Sequence, residues 1–524
     1  MFRILLIAAL VALAACSGED HRSGDASAES AGHGSADAGI IWFDGSVEAA
    51  FVVADNQQKP LFLYWGAVWC PPCQEIKSTV FKSQDFINLS RLFVPVYLDG
   101  DTERAQAWGE KFGVMGYPTM IVLNPAGEEV TRIPGGIDIG RYNSVLELSL
   151  NQMRPTSRLI QLVLDSPAQL SPDDYYQLAY YSWGQDTAAI PEGTDKAMLF
   201  RTLAEHAPAG ETASRLYLDY LVTMARKIKK DKAAATELNA ADVVTRLTSI
   251  LGNAELAIAC WDTLAYYPDE LLGLPVFSQE QRAELEEAWV SGTFDRRMDA
   301  RLSKAEKMAG WLPTLYTGTL ENQVIADELK EQLRSELTVI DRETPDSYER
   351  QSVMSQMSYI YEQAGMKREA KNLLLAELEI SASPYYFMSG LASMAEKDGE
   401  FAEAIDWRRK AWESSTGQAT RFQWGASYVR ALIRLAPDDA VAITSSSIAL
   451  LNEFEASPEL FAGRNFRVLK RVATQLTEWQ DEQQADDLTF MSRVEAMCSE
   501  QEGGSREAEN CQTLLAPEGV AQAT

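Results

Sequence analysis

The sequence predicts a multi-domain chain: a small α/β domain over residues 40–153 followed by an all-α helical-repeat domain over residues 155–524. Three observations predict it. Short apolar runs alternate with helical patterns as far as residue 153, strand-like runs cease past Arg154, and part of the later helical texture repeats every 34 residues. With 524 residues and 46% apolar content, the chain is long enough for about three domains, each able to bury a core. Lys and Arg total 47 against 76 Asp and Glu, a formal net charge of -29, which repels nucleic acid and anionic lipid surfaces and argues against either as a partner.

The first residues, MFRILLIAALVALAAC, carry one positive charge at Arg3 and then an apolar run too short to span a bilayer permanently. Residues 1–15 therefore read as an export signal. Leu13-Ala14-Ala15-Cys16 resembles the bacterial lipobox, which implies lipidation of Cys16 and a chain tethered to a membrane of the bacterial cell envelope, facing the oxidising periplasm. Ser17 after that Cys resembles the sorting signal for the outer membrane. Residues 17–39 hold only Ser, Gly, Ala, His, Arg and acidic residues with no large apolar group, so 16–39 forms a flexible tether spanning about 25–30 Å as a random coil. His21 and His33, twelve apart in this tether, read as solvated linker residues.

From Ile40 the texture changes. Leu61–Tyr64 and Phe93–Leu98 read as buried strands; Thr119–Leu123, the turn Asn124-Pro125-Ala126-Gly127 and Glu128–Ile133 read as a hairpin. Between them, helices are predicted from Cys73 to Phe81, from a Thr102 cap to about Phe112 with Gly113 as its stop, and from Arg141 to Met153.

The first strand runs directly into Trp69-Cys70-Pro71-Pro72-Cys73, and Gly116-Tyr117-Pro118-Thr119 opens a later strand. Over residues 45–150 this arrangement resembles the thioredoxin fold; CQEIKSTVFKSQDF and FVPVYLDGD are most similar to the branch containing the C-terminal domain of the DsbD type of periplasmic electron carrier. A Cys at a helix N-terminus has its thiolate stabilised by unpaired backbone N–H groups and the helix dipole, and two prolines cost little in a first turn whose N–H groups have no helical partner. These placements assign Cys70 as nucleophile and Cys73 as resolving thiol. The resemblance implies a cis Tyr117-Pro118 bond, with Tyr117 and Pro118 forming a substrate-binding edge; Trp69 reads as an apolar lid over the disulfide or as plain core packing. The resemblance also implies a buried acid six residues before Cys70, where this chain has Tyr64. Glu75 stands as a possible proton-transfer group, or as an exposed first-turn carboxylate. The dithiol is itself the redox centre, and no metal or other cofactor is expected, because the remaining Cys and His residues form no CxxC or HxxxH arrangement.

Residues 155–524 are rich in Ala, Leu, Glu, Gln and Tyr at helical spacing. Gly365 and Gly399 lie 34 apart, as do Ala370 and Ala404, and Ala392 and Ala426. That period resembles the tetratricopeptide-type helix pair, clearest over about residues 350–445. Before residue 345 only helices without register are legible. Asp99-Gly100-Asp101 reads as a strand end and helix cap, His206 as structural, and Cys260 as a buried inert thiol. Cys498 and Cys511 flank a polar Gly-Gly loop and can close as a structural disulfide or exchange electrons with Cys70 and Cys73.

The function expected is an envelope thiol–disulfide oxidoreductase. With no His between the cysteines, reduction or isomerisation is preferred over oxidation, and reduction is taken as the expected direction. Its clients would be exported proteins or apocytochromes, its electrons would come from a membrane donor of the DsbD type, and its helical domain would select the client. The alternative is a helical-repeat scaffold that carries the redox-like domain as an accessory module.

Overall fold

A computed structural model of the chain describes residues 39–515 apart from 152–153, 187, 321–324, 455–456, 484–488 and 502. The expected export signal, the Cys16 anchor, His21 and His33 lie outside the described residues, and the helix predicted to reach Met153 ends earlier, at Ser149 with Leu150 as its C-cap.

The α/β domain runs α1 (Val47–Gln57), β1 (Leu61–Gly66), α2 (Pro71–Ser78), α3 (Gln84–Ser90), β2 (Val94–Asp99), α4 (Glu103–Lys111), β3 (Thr119–Leu123), β4 (Glu129–Ile133) and α5 (Ile139–Ser149). The sheet order is β2-β1-β3-β4, with β1 parallel to β2 and antiparallel to β3, and β3 antiparallel to β4. Every residue of β1 is buried, as a central strand covered on both faces requires. Successive side chains take opposite faces: Leu61, Leu63 and Trp65 join the core under α1 and α4, whereas Phe62 and Tyr64 join the one formed with residues of α2, α3 and α5.

The elements expected from the sequence all form. Thr102 caps α4 through a bond from the Ala105 N–H, and Gly113 closes it at φ +61°. The third predicted helix starts at Ile139 rather than Arg141, because the Asp138 carboxylate accepts from Arg141 N–H and caps it earlier. The helix expected to reach Phe81 stops at Ser78, and Val80–Lys82 is a separate 3₁₀ turn. Helices α1 and α3 carry weak signals: α1 buries only Val47, Ala50 and Ala54, and α3 has 7 residues, too few to display a period.

Beyond Arg154 the described residues form helices and 3₁₀ turns, from Thr156–Asp165 to Arg506–Leu515. Ser347–Gln363 packs on Lys367–Ile380, Pro384–Lys397 on Phe401–Ser414, and Gln418–Leu435 on Ala440–Leu451, each pair also touching the next. The repeated glycines fall just after the first helix of the first two pairs, Gly365 at φ +71° and Gly399 at φ +79°. Ala370, Ala404, Ala392 and Ala426 are all buried at helix crossings that a larger side chain would hold apart.

The change from α/β to all-α texture near residue 153 does not end a core. The cluster containing Phe62, Tyr64 and Tyr142 continues through Leu159, Leu178, Leu216 and Trp289. The following segment also covers the β4 edge: Thr156 Oγ1 donates to Val130 O at 2.8 Å and Ser182 N to Arg132 O at 2.8 Å. Later parts of the chain return to this domain, among them Ser347–Gln363 against α2 and Gly463–Gln483 against α4.

Candidate functional site

The apolar strand β1 delivers the chain to the start of α2, where Cys70 is the N-cap and Pro71 and Pro72 open the first turn. Cys70 Sγ accepts from Cys73 N at 3.2 Å, so the sulfur sits where the helix presents unpaired N–H groups. The two cysteines form a disulfide with a Cα–Cα distance of 5.2 Å. Tyr117-Pro118 is cis. Trp69 and Tyr117 pack against the cysteine pair, their ring centroids 6.2 Å apart. The sequence-predicted Trp69, Cys70, Cys73, Tyr117 and Pro118 are thus brought together at one end of the sheet.

Tyr117 is positioned from β2 and α4. Its hydroxyl accepts from Gln106 Nε2 at 3.1 Å, and the same amide donates to Gly100 O at 2.6 Å. Only glycine fits at 100, where a Cβ would stand 2.3 Å from the Tyr117 ring. Asp99, Gly100 and Asp101 form a hydrogen-bonded turn, with Asp101 N donating to Asp99 Oδ1 at 3.1 Å. Among the described residues, no group of three or more His, Cys, Asp or Glu side chains is arranged to hold a metal ion.

Tyr64 is fully buried against aromatic rings, stacked on Tyr97 at 5.5 Å and edge-on to Phe81 at 4.9 Å, in surroundings that would penalise a carboxylate. Acidic groups lie elsewhere. Glu75, on α2, is not an exposed first-turn residue: its Oε1 accepts from Ser303 Oγ at 2.6 Å, and Ser303 N donates to Glu306 Oε2 at 2.7 Å. Burial pushes the Glu75 carboxyl up, opposed in part by the Ser303 bond. Burial, then the neighbouring Glu75 charge, pushes Glu306 up to about 8. One Ser thus links two carboxyl groups that hold protons more tightly than free ones. Glu306 and Ser303 escape a reading of the sequence, where Ser303-Lys304-Ala305-Glu306 signals only a capping box.

The helical region closes over this site, an arrangement with no sequence signal. Gln351 donates to the Trp69 carbonyl, Thr420 to the Asp101 carboxylate, and Arg467 to the Val114 carbonyl. Arg464 places its guanidinium 4.9 Å from the Trp69 ring and 5.3 Å from the Tyr117 ring, while its backbone N–H donates to Gln106 Oε1 at 3.2 Å. Under this cover Cys70 is 2% exposed and Cys73 is fully buried, so a folded client cannot reach either sulfur unless the cover moves. Burial pushes Asp101 up to about 6, with the Thr420 bond opposing.

The remaining candidates lie apart from this pair. Cys260 is buried, and burial pushes its thiol up to about 12, leaving it protonated and unreactive at neutral pH. Cys498 and Cys511 form a second disulfide that joins the helices Thr489–Ser499 and Arg506–Leu515. The His206 ring is exposed near a helix end, with Nδ1 2.9 Å from Thr202 O.

No curated protein matches the chain. The family model of the thioredoxin-like domain matches residues 47–149. The chain therefore has an N-terminal thioredoxin-like α/β domain followed by a mostly helical region, and its Cys70–Cys73 pair fits the chemistry of a thiol–disulfide oxidoreductase.

Proposed function

We propose that the protein is a thiol–disulfide oxidoreductase of the bacterial cell envelope, anchored by lipid at Cys16, that reduces disulfides in exported proteins or apocytochromes. The observation that carries the reading is Cys70 Sγ at the N-cap of α2, bonded to Cys73 beside the cis Tyr117-Pro118 loop. In the reduced protein the Cys70 thiolate attacks a client disulfide, forming a mixed disulfide and releasing one client thiolate. Cys73 then attacks Cys70 Sγ, releasing the second client thiol and restoring the Cys70–Cys73 disulfide. Two electrons pass to the client, and a membrane dithiol donor of the DsbD type returns them. Trp69, Tyr117 and Pro118 form the docking edge, Glu75 serves proton transfer to and from Cys73, Cys498–Cys511 is structural, and the helical region selects the client.

The near-complete cover over Cys70 favours a second reading, in which the helical region is a binding scaffold and the thioredoxin-like domain a holding module. Reduction of insulin by the dithiol-loaded protein separates the two: wild type is expected to turn over and Cys70→Ser to be inert, whereas equal rates would leave only the scaffold. Cys73→Ala is expected to accumulate mixed disulfides with its clients. A reduction potential near about -270 mV supports the reductase direction, and one at or above about -130 mV reverses it.

A further inference from the structure

Between the thioredoxin-like domain and its helical cover lies a cavity of ≈ 360 Å³, within the roughly 300–1,000 Å³ range of small-molecule sites. Its floor is the Met115-Gly116-Tyr117 loop and Trp69, and its opposite wall comes from the helices Gln418–Leu435 and Gly463–Gln483. Trp69 and Tyr117 are the same rings that pack against the cysteine pair, so an occupant would lie one side chain from the disulfide.

The wall carries Arg430, Arg464 and Arg471, with Arg467 on the same helix. Among the described residues none of these guanidiniums has a carboxylate within ion-pair distance, although the chain has a net charge of -29 and most of its other arginines are paired. Arg430 Nε instead donates to the neutral Gln475 Oε1 at 2.7 Å. Burial, then the nearby Arg471 and Arg434, pulls Arg430 below the ordinary guanidinium range. The Asp101 charge reaches Arg464 and the Glu110 charge reaches Arg467, but neither carboxylate lies within ion-pair distance of these guanidiniums, and Asp101 also accepts from Thr420. Arg430 and Arg471, like charges with no ion-paired carboxylate, repel one another, a cost that an anionic occupant removes.

We propose that this cavity binds the carboxylates of the substrate, so that the disulfide reduced at Cys70 is one flanked by acidic groups. This deepens the oxidoreductase reading and rests on it for the word substrate; the anion site itself does not. The carboxylates belong either to a small acidic disulfide held wholly in the cavity or to an acidic stretch of a protein client.

Two arms test it with the full-length protein. In the first, the dithiol-loaded protein reduces 3,3′-dithiodipropionate, a dianion, or cystamine, a dication of similar size. The ratio of kcat/KM for dianion over dication is expected to be at least about tenfold in wild type and to fall by about tenfold in Arg430→Gln/Arg471→Gln and in Arg471→Glu, which alters only the exposed rim. A wild-type ratio near one, or a ratio unmoved by both variants, overturns the proposal. In the second, the redox-dead Cys70→Ser protein is titrated with glutarate and with tetraglutamate, read by Trp fluorescence and calorimetry. Saturable binding of glutarate that weakens in Arg471→Glu indicates a small ligand. Binding of tetraglutamate alone indicates an acidic protein stretch, and binding of neither overturns the site. If wild type reduces neither disulfide, the oxidoreductase reading fails, and the second arm alone decides the anion site.

Discussion

The side-chain amide of Gln351 donates a hydrogen bond to the backbone carbonyl of Trp69, joining residues 282 positions apart and fastening the helical cover beside the cysteine pair. A bond of this kind contributes about 1 kcal/mol, so Gln351→Ala loosens the cover without unfolding the chain. Alkylation of Cys70 in the reduced protein, followed by mass spectrometry, is expected to accelerate about fivefold in Gln351→Ala. A rate equal to wild type would mean that this contact does not limit access.

The Glu75–Ser303–Glu306 cluster makes stability depend on pH. Burial raises both carboxyls, and the Glu75 charge raises Glu306 further, to about 8, so the folded protein holds these protons more tightly than the unfolded chain. Their contribution is full below the unfolded carboxylate range and is lost as pH rises through about 8. Glu306→Gln keeps an oxygen for the Ser303 N–H and removes the charge. At pH 9 it is expected to be more stable than wild type by roughly 1–3 kcal/mol, with little difference at pH 4.5, as read by thermal melting.

Asp101 behaves similarly over a lower window. Its carboxyl stands at about 6 because it is buried between the α/β domain and Thr420, so wild type loses its contribution as pH rises from about 4 through 6. Asp101→Asn still accepts from Thr420. It is expected to flatten that part of the stability profile and to gain roughly 2 kcal/mol at pH 7.

The Cys498–Cys511 bond closes a short loop near the end of the described chain. Its loss in Cys511→Ala is expected to cost about 2–3 kcal/mol locally, seen as faster amide exchange in the helices Thr489–Ser499 and Arg506–Leu515, with insulin reduction unchanged. Turnover that needs Cys511 would make this pair an electron relay instead.

The redox pair was legible because its signals are local. An apolar strand, a CxxC at a helix start and Gly116-Tyr117-Pro118-Thr119 each declare themselves within a few residues, and the 34-residue spacing of Gly365 and Gly399 marks real helix ends. The cover was not legible. Gln351, Thr420 and Arg464 stand on helices whose own periodicity satisfies local packing, and their partners lie hundreds of residues earlier. Tyr64 raised the question of a missing acid, and Glu75 was a candidate for it, but its Ser303 and Glu306 neighbours depend on tertiary docking alone. Helix α1 was missed because the side chains it buries are small or short.

The apolar cluster that passes from Phe62 and Tyr142 through Leu159 to Trp289 has a mechanical consequence. Cutting the chain near residue 154 would expose the apolar face around Phe62 and Tyr142 and leave β4 as a bare edge, open to pairing with other molecules. The redox unit is less a bead on a string than a part built into the helical core. Heat or denaturant should therefore melt the sheet together with the first helices that follow it, in a single step.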